Sequence, residues 1–256
     1  HIEAGLRSFD RGMPEELNRL VTDSLADLLL TPSADGDDNL RREGVPAERV
    51  ECVGNIMLDS YERVRRRIVA EEMHIRYGRQ AGQYAVVTLH RPSNVDTPLA
   101  LSVLVRQLIE VSHDLPLVFP VHPRTYKNLM DFGLLQELLD APGIKLTEPL
   151  GYIQFMSLVS SAAVAVTDSG GIQEETTYLG IPCLTLRPNT ERPITVSEGT
   201  NRLVKPDGLV AAVRAALSGA GQTGTRPDLW DGRTASRVVA SLRRHSLSET
   251  RKELAA

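Results

Sequence analysis

Ala163-Val164-Ala165-Val166-Thr167-Asp168-Ser169-Gly170-Gly171-Ile172-Gln173-Glu174-Glu175 passes from an unbroken apolar run into a glycine pair and then a helix that extends to Leu179. Apolar residues without alternation predict a strand covered on both faces, as in a parallel sheet flanked by helices. The glycines permit a tight turn and close approach of a ligand to the backbone. Unpaired amides and the helix dipole favour a phosphate there, and Ser169 can add a hydroxyl donor. Ligands of such sheets gather at the carboxyl ends of the strands, where this turn sits. The same residues also suit a plain strand-to-helix turn, with Glu174 and Glu175 matched to the dipole. Glu175 could instead accept from ribose hydroxyls, because an ionised carboxylate only accepts.

Working outward, the pattern repeats. Strands are expected at 84–88, 117–121, 144–147, 163–167 and 182–186. Helices are expected from the Thr97 cap and Pro98 to His113, from Pro123 to near Leu139, over 151–161, to Leu179, and from an Asp207 cap to Leu217. The helix after Thr97 turns Leu101, Leu104, Val105, Leu108 and Ile109 inward. This alternation predicts a doubly wound α/β domain over 84–227. Gly219 to Thr225 is read as a flexible loop. Trp230, Val238, Val239 and Leu242 suggest a last helix within 228–256, followed by a polar tail expected to fray.

Before that domain, 78–83 reads as a linker, with two glycines and no apolar periodicity. Residues 1–77 carry a helix from Pro14-Glu15-Glu16 to about Ala26, with Leu17, Leu20, Val21 and Leu25 on one face. Short strands follow at 28–31 and 50–53, with a helix over 33–43 between them and a long one over 56–77. Arg63, Arg65, Arg66 and Arg67 of the long helix read more as a solvated face than a binding patch.

Apolar residues make up 41% and charged residues 24% of the 256, which fits a soluble folded protein. Lys and Arg number 29 against 33 Asp and Glu, a formal charge of -4. Nothing in that balance calls for a nucleic-acid partner. No apolar stretch reaches the length of a membrane span and no secretory leader is present. Cys52 and Cys183 lie in apolar runs and read as reduced core residues of a cytoplasmic protein, with a disulfide between them the lesser alternative. The histidines and cysteines form no short-spaced metal set, and no G-x-G-x-x-G follows a strand, so neither a metal nor a nicotinamide cofactor is expected.

Other candidate residues share the strand-end rim. Asn189-Thr190-Glu191-Arg192-Pro193 follows the 182–186 strand; Arg192 could fork onto a phosphate or form a surface salt bridge. His90 in Thr88-Leu89-His90-Arg91 and His122 in Pro120-Val121-His122-Pro123 end two strands. Each alone suits a hydrogen-bonded structural role, and the pair at equivalent strand ends leans toward a site. Tyr152 and Gln154 come after the next strand. The first domain offers Glu3, Arg7, Asp10, Glu15 and Glu16, whose carboxylates could serve as acid and base if their pKa values were raised. Taken alone, Glu15 and Glu16 read as a helix start.

The ordered series His1-Ile2-Glu3-Ala4-Gly5-Leu6-Arg7, Met13-Pro14-Glu15-Glu16 with Asn18-Arg19, Val53-Gly54-Asn55, the two histidine segments, the Thr167–Glu175 block and Thr190-Glu191-Arg192-Pro193 resembles the non-hydrolysing UDP-N-acetylglucosamine 2-epimerases over nearly the whole chain. The resemblance implies a glycosyltransferase-B-like α/β fold of two doubly wound parallel sheets with the active site in the cleft between domains. It implies reversible C2 inversion of UDP-N-acetylglucosamine to UDP-N-acetylmannosamine by elimination and re-addition of UDP through an enzyme-bound 2-acetamidoglucal, without metal or nicotinamide. By motif match it assigns Glu3, Glu15 and His90 to catalysis and His122, Ser169, Gly170, Gly171, Glu175 and Arg192 to UDP. It further implies a cytoplasmic homodimer at full length, in cell-surface polysaccharide biosynthesis.

Two departures from the family pattern stand out. Ser93 takes the place of a usual Glu, removing a charge. The family also carries a stretch before the His1 motif, with most of the first sheet and a further active-site Asp. The first domain is therefore expected to be incomplete at its N-terminal side, since strands 28–31 and 50–53 alone make a poor parallel sheet. A truncated, non-catalytic UDP- or nucleotide-sugar-binding remnant is the rival expectation. The last helix is expected to pack back on the first domain.

Overall fold

A computed structural model describes residues 1–219 and 224–255, with side chains through residue 246. Most of the loop expected over 219–225 lies outside the described residues. The chain forms two compact units: residues 1–63 with 191–194 and 227–256, and residues 64–190 with 195–226.

The larger unit holds six parallel strands: β3 (Ala85–Thr88), β4 (Leu117–Pro120), β5 (Ile144–Thr147), β6 (Val164–Thr167), β7 (Cys183–Thr185) and β8 (Asn201–Leu203), numbered after β1 (Leu29–Thr31) and β2 (Val50–Cys52) of the smaller unit. Their order is β5-β4-β3-β6-β7-β8. The first three strands of this sheet therefore run outward from β3 to one side and the last three run outward from β6 to the other. The chain reverses direction between β3 and β6, which opens a crevice above their carboxyl ends. β3 and β6 pair in full, from Ala85 with Val164 to Thr88 with Thr167. All of β4 and β6 is buried. Leu101, Leu104, Val105 and Leu108 of the helix Pro98–Asp114 enter the same core as Val87, Phe119 and Val166, as their spacing predicts. Thr97 caps that helix, its hydroxyl accepting from Ala100 N.

Several boundaries differ from expectation. The helix after Pro123 stops at Asp131 and restarts at Leu135, because Gly133 takes a φ of +71°. The long helix stops at Glu71; Glu72 turns left-handed (φ +45°) and a short helix, Met73–Arg76, follows. Buried Met73 donates its amide to Ser157 Oγ, so the segment packs with the larger unit, and the expected linker 78–83 lies inside that unit. Asp207 does not cap a helix. It sits in the 3₁₀ turn Pro206–Gly208, and the helix Leu209–Leu217 begins after Gly208 without a side-chain cap. The helix Thr234–Ala255 includes the tail expected to fray, in keeping with its Glu, Lys, Arg, Leu and Ala content.

In the smaller unit β1 and β2 pair in parallel, and Ile2 forms a bridge to Leu30 on the other side of β1. Leu29, Leu40 and Ala4 pack on one face, and Leu30, Val53 and Val238 on the other. Val238 belongs to the last helix. Trp230, ahead of it, is buried and donates its indole N–H to Pro32 O at 2.9 Å. Arg237 donates to Val53 O and Leu229 O. Two glycines are required here. Gly54 has φ +90°, and a Cβ on it would lie 2.3 Å from Leu229 O; Gly5 has φ +79°, and a Cβ would lie 2.4 Å from Gly36 O.

The apolar face expected of the helix Pro14–Leu25 does not point inward. Leu17, Val21 and Leu25 are exposed, whereas Glu16 and Asp23 are buried. Dedicated donors outweigh apolar periodicity: Glu16 accepts from Ser8 N, Ser8 Oγ and Phe9 N, and Asp23 accepts from Gly5 N and pairs with Arg7.

Candidate functional site

The crevice above β3 and β6 is where the larger unit gathers its reactive side chains. β3 delivers His90, β4 delivers His122, and β6 delivers Asp168 and Ser169. A recess of about 230 Å³ is lined by His90, His122 and Ser169 together with Ile172, Phe155 and Pro149. The two imidazole centroids lie 5.5 Å apart.

Asp168 organises this point. It is fully buried at the end of β6, beside the end of β3. Its carboxylate accepts from the backbone amides of His90 and Arg91 and from Asn94 Nδ2, and meets His90 Nδ1 at 3.0 Å. Burial alone would push its pKa up; the bonds from His90, Arg91 and Asn94 outweigh that and hold it below the ordinary carboxylate range. Asn94 also donates to Leu186 O, which ties the turn after β3 to the turn after β7. The sequence assigns no role to Asp168 or Asn94, although Asp168 lies within the Thr167–Glu175 motif; only the β3–β6 pairing reveals what Asp168 faces.

His122 caps the helix Pro123–Asp131, its Nδ1 accepting from Arg124 N at 3.2 Å. His122 is exposed, but partial desolvation and the proximity of His90 hold its pKa below the ordinary value. The helix Gly170–Leu179 begins at Ser169, whose side chain makes no capping bond; Ser169 N donates to Thr167 Oγ1. Gly171 has no positive φ, and a Cβ on it would meet nothing within 4 Å. Neither a positive φ nor a close neighbour within the fold therefore requires this glycine. Gln173 fastens the helix from behind: it donates to Ser169 O and accepts from Thr190 Oγ1 and Asn201 Nδ2. Glu175 is buried one turn further on, where Tyr152 OH donates to it at 2.7 Å. Burial raises the Glu175 pKa, and the tyrosine bond partly opposes that. Ser93 is exposed in the short helix Pro92–Val95.

The smaller unit places its candidates differently. Glu3 is half-buried in a left-handed backbone conformation, φ +72°, which a non-glycine residue adopts at a cost of ~1–3 kcal/mol. Its carboxylate pairs with Arg192 Nη2 at 3.2 Å, and Arg192 Nη1 bonds Glu191 at 2.6 Å. Arg192 is thus a nearly buried ion-paired residue, 8% exposed. Glu15 is exposed in the first helical turn, beside the buried, structural Glu16. Arg7 is buried, forks onto Glu43 and pairs with Asp23, so it braces the fold. Asp10 accepts from Gly12 N in an exposed turn.

Cys52 and Cys183 are free thiols. Complete burial pushes Cys183 up to about 11, so it stays protonated. Among the described residues no three His, Cys, Asp or Glu side chains gather as a metal would need, and no helix is long and apolar enough to cross a membrane.

The chain is similar to known proteins in sequence and in fold. A family profile described as UDP-N-acetylglucosamine 2-epimerase matches residues 1–243. The UDP-N-acetylglucosamine 2-epimerase of Methanococcus maripaludis is 41% identical over 214 residues, covering 81% of this chain and 58% of its own. The UDP-2,3-diacetamido-2,3-dideoxy-D-glucuronate 2-epimerase of Pseudomonas aeruginosa is 37% identical over 222 residues, covering 85% of this chain and 60% of its own. The crystal structure of Methanocaldococcus jannaschii UDP-GlcNAc 2-epimerase in complex with UDP-GlcNAc and UDP superposes with a TM-score of 0.85 at 38% identity, over 95% of this chain and 68% of that one. The chain therefore spans about three fifths of the length of these curated relatives.

Proposed function

The chain belongs to the UDP-N-acetylglucosamine 2-epimerase family, and from that premise we propose that the protein inverts C2 of UDP-N-acetylglucosamine reversibly, through elimination and re-addition of UDP. The observation that carries this reading is the uncapped start of the helix Gly170–Leu179, open above Gly171 and facing a recess lined by two histidines.

In the forward step a base removes the C2 proton and the C1–O bond breaks. The electron pair leaves with UDP, and a C1=C2 double bond remains in the sugar. The proton then returns to the other face of C2, and a β-phosphate oxygen re-adds at C1. The departing diphosphate concentrates negative charge, which the amides after Ser169 and an N–H of His122 are suited to receive. Glu175 accepts from the ribose hydroxyls, its carboxylate being acceptor-only when ionised. His90 is the imidazole available for proton transfer, and Glu3 and Glu15 supply the acid–base carboxylates. The strained backbone of Glu3 supports its assignment, since such strain persists where surrounding structure over-determines it. Arg192 orients Glu3 through its ion pair and adds positive charge for the diphosphate.

The two substrate names among the relatives share UDP and reaction at C2 and differ at C3 and C6 of the sugar. The UDP end is the part these residues address, so UDP-N-acetylglucosamine is the first substrate to test. Incubation of the intact protein with it in heavy water, followed by proton NMR, should yield the manno epimer with deuterium at C2. Absence of both sinks the proposal, and UDP binding in calorimetry without turnover favours a nucleotide-binding remnant.

A further inference from the structure

We propose that Asp168 and the backbone amide of Arg124 hold the two facing imidazoles in opposite tautomers, His90 with its proton on Nδ1 and His122 with its proton on Nε2. An ionised carboxylate can only accept, so the 3.0 Å contact between His90 Nδ1 and Asp168 requires the proton on that nitrogen. An amide N–H can only donate, so the 3.2 Å bond from Arg124 N to His122 Nδ1 requires a lone pair there. In a neutral ring the other nitrogen takes the complementary role. His90 Nε2 is then an acceptor and His122 Nε2–H a donor, on two rings whose centroids are 5.5 Å apart and which line one recess.

Burial secures the His90 assignment. Asp168 is fully buried, and the amides of His90 and Arg91 and the Asn94 side chain keep it ionised. His122 is exposed, yet partial desolvation, His90 and Arg124 disfavour its imidazolium, with the Asp168 charge acting the other way. Arg91, also at the end of β3, directs its Nε to Asp168 O and so does not compete for the His90 ring.

The consequence rests on the epimerase reading: one imidazole is set to take a proton and the other to donate a hydrogen bond to phosphate; His90 cannot change role without breaking its bond to buried Asp168, and His122 cannot without giving up its helix-capping bond. Asp168 is thus a positioning residue that acts through His90. Asp168→Asn tests it selectively. Oδ2 takes three donors, the His90 and Arg91 amides and Asn94, whereas Oδ1 takes only a second, longer approach of the His90 amide besides the ring, so the asparagine carbonyl belongs at Oδ2 and its NH₂ at Oδ1. That NH₂ faces His90 Nδ1 and drives its proton to Nε2.

The experiment is long-range proton–nitrogen correlation on the ¹⁵N-histidine-labelled chain, in buffer well above the ordinary histidine pKa of ~6.5. Signals are assigned by their loss in His90→Gln and His122→Gln. The wild-type spectrum alone decides the proposal: Nδ1–H for His90 and Nε2–H for His122 support it, and any other combination overturns it. Asp168→Asn should flip His90 while leaving His122 unchanged, and should lower kcat by about 10²- to 10⁴-fold with little change in KM. An unflipped His90 in the folded variant removes Asp168 from the role. Opposite tautomers in a protein that forms no epimer would sink the epimerase reading and leave this inference standing.

Discussion

Gly171→Ala separates a ligand-binding helix start from an ordinary turn. Gly171 has no positive φ, and an added Cβ would find no neighbouring atom within 4 Å. Folding therefore gains from the substitution: alanine restricts the unfolded chain and should stabilise by ~0.4–1 kcal/mol, a rise in Tm of roughly 1–4 °C for a protein of this size. If a phosphate oxygen occupies that open space, it lies ~2.8 Å from an amide, where a methyl group cannot coexist with it. Losing one charge-assisted bond costs ~1.5–3 kcal/mol, so UDP affinity should fall about 10- to 100-fold. Thermal unfolding and UDP calorimetry on the same preparations read both effects. Undiminished UDP affinity in a folded, more stable variant would refute the phosphate assignment and leave the glycine as a turn residue.

A glycine of the smaller unit should behave in the opposite way. Gly54→Ala places a Cβ 2.3 Å from Leu229 O at φ +90°, and strain plus overpacking should destabilise by about 2–5 kcal/mol in urea unfolding. Arg7→Ala strands buried Asp23 without its cation and should cost roughly 3–5 kcal/mol at neutral pH. Asp23 also carries a pH signature. Burial pushes its pKa up, but the bonds from His1, Arg7 and Gly5 hold it below the unfolded value. Its stabilisation is present above the unfolded pKa of ~3.9 and is lost as pH falls through the folded value. Wild type should lose this contribution in acid titration, and Arg7→Ala should lose less over the same window. For Glu175 the sign is reversed, because burial raises its folded pKa. Its contribution is full below the unfolded value and is lost as pH rises through the folded one. Tyr152→Phe removes the opposing bond, so the variant should lose stability relative to wild type as pH rises through that window; parallel curves would exclude the Tyr152–Glu175 coupling.

Where the structure departs from the sequence reading, polar partners provide the reason. The helix Pro14–Leu25 reads as burying Leu17, Val21 and Leu25, yet it buries Glu16 and Asp23. Periodicity counts apolar side chains and cannot register that Ser8, Phe9, Gly5 and Arg7 supply donors for two carboxylates. Strand β8 was not foreseen because Asn201-Arg202-Leu203 lacks an apolar run. Asn201 is buried by bonds to Thr185, Gln173 and Thr195, which come from distant points in the chain. Arg192 was left open between phosphate and carboxylate; its ion pair with Glu3 joins residues 189 positions apart.

What the linear chain determined was the alternation of buried strands with helices, the glycine turn after β6 and the two histidines at strand ends. These follow from local chemistry: apolar continuity, caps and backbone freedom act within a few residues. The order β5-β4-β3-β6-β7-β8 was decided only by folding, because pairing between β3 and β6 depends on segments about eighty residues apart. That pairing brings the Asp168 carboxylate to His90, and the His90 proton is assigned by its partner across the sheet and by nothing within its own segment.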